Sequence, residues 1–168
     1  MSMERAIAKR FGLESPEDWM RHANPRSVIT RFTTLPLLVL AVWSRVWLGW
    51  YSLIFVGVVV AWSMINPTLF AKQTKIDSWW SKCVAGEYFW ANRDKFPVAD
   101  YHYGVIRVLT FLQAAGGVFL IVGMYLLDVW MTIAGVVWVY LSKMWFLDRM
   151  VWIYEEMKDH AGELERGT

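Results

Sequence analysis

Several residues near the end of the last long apolar run have types and spacing that could support chemistry. Asp148, Trp152 and Glu155 fall at i, i+4 and i+7, which places two carboxylates on one helical face. The functional interpretation of such a pair is catalysis, for which this spacing is by itself a weak signal. Arg149 follows Trp145 by four residues, the spacing of a cation–π pair. The structural alternative, which we favour, is that this face packs on a helix at about residues 77–92.

Arg31 is a basic residue close to an apolar stretch. It lies 14 residues before Arg45, which is about 21 Å of helix, whereas the hydrocarbon of a bilayer is about 30 Å thick. A charge at that depth extends to the membrane surface or needs a partner, which Asp148, Glu87 or Glu155 can supply. Arg31 therefore makes either a structural contact or a binding site for an anionic group such as a lipid phosphate.

The histidines limit the metal chemistry that the chain can support. His22, His102 and His160 all lie outside the apolar runs, so they do not indicate a haem or pigment ligand within a span. His102, together with Glu87 and at most His22, is a weak candidate for a one-metal site. No phosphate-binding loop or nucleophile motif is present. We therefore predict no metal and no cofactor.

The composition is typical of a membrane protein. Hydrophobic residues make up 57% of the 168 residues, and 12 are Trp, while charged residues make up only 19% against about a quarter in soluble domains. The net charge of +2 does not indicate nucleic-acid binding. The single Cys83 excludes an intramolecular disulfide. The sequence predicts an all-α, four-transmembrane-helix membrane protein, with residues 1–168 forming a single integral membrane domain.

The apolar runs predict transmembrane spans at residues 28–43, 46–65, 107–127 and 129–148. The first span is short and contains Pro36. Asn66, which precedes a proline, ends the second span, and Asp128 forms a short turn between the third and the fourth. The fourth helix is expected to continue into the cytoplasm over residues 149–164.

The remaining segments are polar. Residues 1–27 are expected to form an interfacial segment with two short amphipathic helices, at 3–12 and 15–23, that lie on the membrane surface. Ser15 is predicted to cap the second of these helices. Residues 71–104 are expected to form a cytoplasmic loop that carries an interfacial helix at 76–92, either surface-lying or re-entrant. Its predicted apolar face consists of Trp79, Trp80, Val84, Tyr88 and Phe89.

Basic residues are distributed asymmetrically between the two ends of the spans. The turn between the first two spans carries only Arg45, and the turn between the last two carries none. The positive-inside rule therefore predicts a multi-pass protein of the cell inner (plasma) membrane with both termini in the cytoplasm.

Counting 20 residues inward from the outer ends of the long spans reaches the cytoplasmic edge of the hydrocarbon. Polar residues concentrate there and define a candidate interfacial cluster. Its members are His22, Asn24, Arg31, Asn66, Glu87, Arg93, His102, Arg107, Asp148, Arg149 and Glu155.

Four local patterns contribute many of these residues. They are His22-x-Asn24-Pro25-x-Ser27-x-x-Thr30-Arg31, Asn66-Pro67-x-x-Phe70, Gly86-Glu87-x-x-Trp90-x-x-Arg93 and Trp145-Phe-Leu-Asp-Arg-Met-Val-Trp152. Together they resemble an uncharacterised family of small prokaryotic multi-pass integral membrane proteins with a domain-of-unknown-function label. The resemblance covers His22 to Glu156, implies a membrane fold and supplies no activity or catalytic residues.

We expect a membrane binding or accessory protein whose partners are membrane lipids and a homo-oligomer or larger membrane complex. One alternative is an enzyme that acts on a lipid or isoprenoid headgroup at the inner leaflet. The second alternative is a small oligomeric transporter or channel. It is weakened by the few polar residues within the spans, of which Gln113 and Thr132 are two.

Overall fold

The computed structural model describes residues 13 and 15–166, and all regular structure in these residues is helical. The predicted helix at 3–12 lies outside the described residues. The α-helices, in chain order, are α1 (Pro16–His22), α2 (Pro25–Phe32), α3 (Thr34–Trp43), α4 (Arg45–Leu48), α5 (Ser52–Ile65), α6 (Trp79–Ala91), α7 (Tyr101–Leu126), α8 (Val129–Met157) and α9 (Ala161–Arg166). Short 3₁₀ turns occupy Gly49–Tyr51, Asn66–Leu69 and Lys158–His160.

Helix α1 begins as the sequence predicts but packs differently. Ser15 caps it, and Ser15 and Asp18 form a reciprocal capping box that satisfies the first backbone N–H groups. Trp19 and Met20 are almost fully buried, and α1 contacts α6 and α9. The apolar side of α1 therefore faces protein, and the location of α1 at a membrane surface stays a prediction.

Helices α2, α3 and α5 form a hairpin. The chain reverses through residues 44–51, where Gly49 has φ +54°, a conformation that favours glycine. Helix α3 then packs against α5. Arg45 in the turn donates hydrogen bonds to the carbonyls of Met124 and Tyr125 at 2.6 and 2.9 Å. A cation at the carboxyl end of α7 is stabilised by the helix dipole, so Arg45 ties the turn to α7.

Helices α7 and α8 form a second antiparallel pair. Leu127 adopts a left-handed conformation and Asp128 caps α8 by accepting from the Met131 N–H at 2.8 Å, which confirms the short turn predicted at Asp128. An added Cβ at Gly135 would lie 2.6 Å from Leu120 Cα. Glycine therefore lets the two helices approach closely.

Helix α6 lies at the centre of the packed region. Its buried residues, which include Phe89 and Trp90, extend around most of the helix. An added Cβ at Gly86 would lie 1.9 Å from the carbonyl oxygen of Met150, so α6 and α8 touch through their backbones. A helix that is buried on nearly every side is a core helix. The helix predicted at 76–92 is thus present as Trp79–Ala91, and its position relative to a membrane, surface-lying or re-entrant, stays a prediction.

The carboxyl-terminal segment also folds back onto the protein. Helix α8 ends at Met157, and the 3₁₀ turn that follows leads into α9. Leu164 is 1% exposed, and α9 contacts α1. The predicted continuous extension over 149–164 is therefore interrupted, because the chain turns to bury Leu164.

Three helical segments are long and apolar enough to cross a membrane: Pro25–Ile65, Tyr101–Leu126 and Val129–His160. The first of them contains the hairpin, so its length is folded into two antiparallel arms. These segments expose many large apolar side chains, including Phe55, Phe111 and Leu141. Such surfaces are typical of helices that face lipid.

Candidate functional site

A cavity of about 340 Å³ lies where the hairpin, α6, α7 and α8 meet. Its walls combine ionisable, neutral polar and apolar side chains. They are His22, Val28, Arg31, Phe32, Leu35, Val84, Glu87, Gln113, Val139, Tyr140, Lys143 and Leu147. A cavity with a few converging polar groups in an apolar wall is the usual form of a small-molecule site.

Arg31 is fixed on one side of the cavity by α1 and α2. Its guanidinium donates to the His22 carbonyl at 2.8 Å and to the Ser27 carbonyl at 3.3 Å, and it also contacts the His22 ring. These acceptors are neutral groups, so the positive charge remains available to an anion in the cavity. The nearest carboxylate on the cavity wall is Glu87, which attracts the guanidinium.

Lys143 lines the same cavity from α8. Its Nζ lies 3.2 Å from Glu87 Oε1, and the two side chains are 34% and 24% exposed. Lys143 follows Asp128 by 15 residues, about 22 Å of helix. This distance matches the 14 residues between Arg31 and Arg45, so both cations lie at a similar distance from the turns that end the apolar helices.

His22 is neutral at ordinary pH. Burial, followed by the charges of Arg31 and Lys143, lowers the pKa of His22 from 6.5 to about 3. The neutral ring can accept a hydrogen bond from Arg31. His22 therefore adds polarity to the cavity without adding charge.

Tyr140 and Gln113 complete the polar wall. The Tyr140 hydroxyl donates to the Phe32 carbonyl, and the two rings stack with centroids 5.9 Å apart. Gln113 reaches the cavity from α7. These two residues and Lys143 were not among the predicted site residues. For Lys143 a usable signal exists, since counting from Asp128 places it at the level of Arg31.

A buried polar clasp connects α2 to the end of α5. Asn66 is 0% exposed; it accepts from Ser27 Oγ at 2.9 Å and donates to Thr30 Oγ1 at 2.8 Å. Asn24 caps α2 and donates through its Nδ2 to the Ala71 carbonyl at 3.0 Å. The clasp, formed by Asn24, Ser27, Thr30 and Asn66, holds the turn of helix that carries Arg31. The contact of Asn66 with α2 could not be predicted from the sequence, because Ser27 and Asn66 are 39 residues apart.

The acidic face of α8 lies away from the cavity. Asp148 and Trp152 are exposed, and Glu155 pairs with Lys82 at 2.6 Å on the surface. Arg149 stacks on Trp152 at 4.5 Å, and the predicted pairing with Trp145 is corrected. The face of α8 that packs on α6 is apolar and carries Met150 and Ile153, because burying apolar surface stabilises the fold more than burying charge.

The other predicted residues are also dispersed. His102 is fully buried, and its Nε2 lies 3.0 Å from Glu156 Oε2. Arg93 stacks on Trp90 at 4.3 Å and donates to its carbonyl. Arg107 is exposed on α7. Of the predicted cluster, the cavity therefore brings together His22, Arg31 and Glu87, with the clasp adjacent.

The metal candidates do not converge. His102 pairs with Glu156, whereas Glu87 pairs with Lys143. Within the part of the chain that the structure describes, no group of three His, Cys, Asp or Glu residues could hold a metal ion. Cys83 is buried, and burial, followed by the nearby Glu87 charge, raises the pKa of its thiol.

The described part of the chain is all-helical and has helices that could cross a membrane. Its cavity carries charges of both signs and lies where these helices meet α6. The chain belongs to DUF6653, a family of unknown function whose model matches residues 2–166. The family resemblance drawn from the sequence is thereby confirmed as membership of a family of unknown function. No curated protein and no solved structure matches the chain.

Proposed function

We propose that this protein is a binding or accessory protein of the cell inner membrane that holds the anionic headgroup of a membrane lipid in its cavity. The observation that carries the proposal is the pair of cations, Arg31 and Lys143, set in an otherwise largely apolar wall. Two cations beside apolar surface match an amphipathic anion, because the phosphate contacts charge and the acyl chain contacts hydrocarbon.

The proposed membrane arrangement has four spans. The two arms of the hairpin, α2 with α3 and then α5, form the first two spans, and α7 and α8 form the third and the fourth. The turns at one end of these helices carry strongly exposed aromatic side chains, Trp47, Trp50 and Trp130. Aromatic residues at this level are typical of a membrane–water interface. The opposite end carries most of the basic residues, which supports a cytoplasmic location for both termini.

The depth of the two cations supports a lipid ligand. Each lies about 21–22 Å from the aromatic end of the helices, whereas the hydrocarbon is about 30 Å thick. The cavity would therefore lie about 8 Å below the cytoplasmic edge, where a lipid headgroup drawn slightly inward can reach it. Leu35 and Val139 line the same cavity and offer apolar contact to the first carbons of an acyl chain.

The contacts among the polar groups favour binding over reaction. The His22 ring is engaged by Arg31, and the Glu87 carboxylate is engaged by Lys143. General acid–base catalysis requires a group that can reach a reacting proton. Here the candidate bases instead hold the two cations in place, which suits a receptor for an anion.

Native mass spectrometry of the protein released from lipid nanodiscs tests this proposal. The discs contain phosphatidylcholine with phosphatidylglycerol, and the variants are Arg31→Gln and, as a matched control, Arg107→Gln on the exposed face of α7. We expect the wild type and Arg107→Gln to retain phosphatidylglycerol, and Arg31→Gln to retain about tenfold less, since a charged hydrogen bond contributes about 1.5–3 kcal/mol.

Two results would overturn the proposal: a wild-type protein that retains no anionic lipid, or an Arg31→Gln variant that retains as much as the wild type. A thermal unfolding curve for each variant in the same detergent establishes that it is folded. If Arg31→Gln does not fold, Lys143→Gln takes its place, with the same expected loss.

A further inference from the structure

The charges on the cavity wall do not cancel. Among the described residues that line it, Arg31 and Lys143 are cations and Glu87 is the carboxylate. His22 is neutral because its pKa is about 3. Gln113 and Tyr140 supply only neutral polar groups. The described wall therefore carries a net charge of about +1, which matches a ligand with one negative charge.

We propose that Glu87 makes the cavity selective for headgroups with a single negative charge over phosphomonoesters with two. This inference rests on the proposed function and specifies its ligand. Phosphodiesters and carboxylates are the chemical classes that carry one charge at neutral pH. A phosphomonoester carries about 1.5 to 2 charges there.

The position of Glu87 gives it this role. Its carboxylate lies 3.2 Å from Lys143 Nζ and is close enough to Arg31 to attract the guanidinium. It thus neutralises part of the cationic wall and presents a negative charge to any second charge on the ligand. Both side chains of the pair are only a quarter to a third exposed, so repulsion there is screened less than on an open surface.

The backbone that carries Glu87 is held in place. The preceding residue, Gly86, packs directly against the carbonyl of Met150, and neighbouring Ala85 is fully buried. Helix α6 cannot retreat from the cavity without opening this backbone contact. A dianionic headgroup therefore cannot relieve the repulsion by displacing the helix that carries Glu87.

The experiment measures which lipid the protein retains from nanodiscs that contain equal amounts of phosphatidylglycerol and phosphatidate in phosphatidylcholine. At pH 8 phosphatidate carries close to two charges. We expect the wild type to favour phosphatidylglycerol and Glu87→Gln to raise the retained ratio of phosphatidate to phosphatidylglycerol about tenfold. Such a change corresponds to about 1.4 kcal/mol.

Glu155→Gln is the matched control. It makes the same chemical change in a Lys–Glu pair, Lys82 to Glu155 at 2.6 Å, that lies outside the cavity. We expect its lipid ratio to equal that of the wild type. An equal ratio in Glu87→Gln and wild type, with both proteins retaining anionic lipid, would overturn the inference and leave the proposed function standing.

A second variant keeps the inference testable if Glu87→Gln does not fold. Glu87→Ala removes the same negative charge, so we expect the same rise in the retained ratio of phosphatidate to phosphatidylglycerol. A ratio equal to that of the wild type, in a folded Glu87→Ala variant that retains anionic lipid, would overturn the inference. A wild-type protein that retains neither anionic lipid would instead overturn the proposed function itself.

A further arm distinguishes a lipid from a free anion. Inorganic phosphate is added to the protein in discs of phosphatidylcholine alone, at pH 6 and at pH 8, and bound phosphate is counted by mass. We expect no bound phosphate. Phosphate that binds to the wild type but not to Arg31→Gln would show that the cavity takes a free anion. That result would overturn the proposal that its ligand is a lipid.

Discussion

The two regions of this molecule are held together differently. The packed region consists of α1, α6, α9 and the second half of α8, and Phe89, Met150 and Ile153 in it are 0% exposed. The apolar region consists of the hairpin, α7 and the first half of α8. In each of the three segments that could cross a membrane, few residues of the most apolar stretch are buried: 6% in Pro25–Ile65, 22% in Tyr101–Leu126 and 17% in Val129–His160. The first region supplies its own core, whereas the second requires another apolar medium to cover it.

The candidate cavity lies at the border between these two regions. Arg31 and Lys143 are carried by helices that continue into the apolar region, while Glu87 comes from α6 in the packed region. A border is a suitable place for an amphipathic ligand, because rigid polar groups and lipid-like surface meet there. The comparison also indicates which substitutions will be costly and which will be tolerated.

The largest expected effect distinguishes Gly86 in the packed region from Gly57, a glycine of the apolar region that has no close neighbour. Gly86→Ala places a Cβ 1.9 Å from the Met150 carbonyl oxygen, whereas Gly57→Ala on α5 meets nothing within 4 Å. We expect Gly86→Ala to destabilise the protein by about 3 kcal/mol or more and Gly57→Ala to be neutral or slightly stabilising. Thermal unfolding of both variants in one detergent measures the difference; equal melting temperatures would contradict it.

A smaller effect is expected for the clasp at the border. Asn66→Ala removes two buried hydrogen bonds, to Ser27 and Thr30, and we expect a loss of about 2–3 kcal/mol. Ser63→Ala on α5 is the control, since its hydroxyl donates only to the Val59 carbonyl one turn earlier in the same helix. Denaturation of both variants in mixed micelles gives the two values. A loss for Ser63→Ala equal to that for Asn66→Ala would show that the clasp is not special.

A third effect concerns pH and His22. The pKa of this ring is about 3 in the folded protein and 6.5 in the unfolded chain. Between these values the unfolded chain binds the extra proton, so His22 lowers stability progressively as pH falls below about 6.5. We expect the melting temperature of the wild type to fall more steeply between pH 7 and pH 4.5 than that of His22→Gln. Parallel curves would indicate that His22 titrates normally.

The sequence was sufficient to predict several local features. Ser15 begins α1, Asn66 ends the second arm of the hairpin, and Asp128 lies in the short turn before α8. Each of these depends on neighbours within a few residues, through side-chain caps or the restriction imposed by a following proline. The apolar composition likewise predicted helices long enough to cross a membrane.

The cavity was only partly predictable because it depends on how the helices are aligned with one another. The depth of Arg31 follows from its distance to Arg45 along the chain, whereas Gln113 reaches the cavity only because α7 and α8 pack side by side. The burial of α6 depends on surfaces from α1, α2 and α8, which no periodicity in its own sequence reveals. The Asp148 face was misplaced for a related reason: its spacing was correct, but its apolar neighbours occupy the interface.

The two tight turns have a consequence for how the protein is made. Residues 44–51 and 127–128 are the connections at the aromatic end of the helices, and they carry only two charged side chains, Arg45 and Asp128. In the proposed four-span arrangement, a hairpin with so short a connection would enter a bilayer as one unit, with almost no polar chain to translocate. Biogenesis by paired helix insertion would therefore require no export of a folded domain.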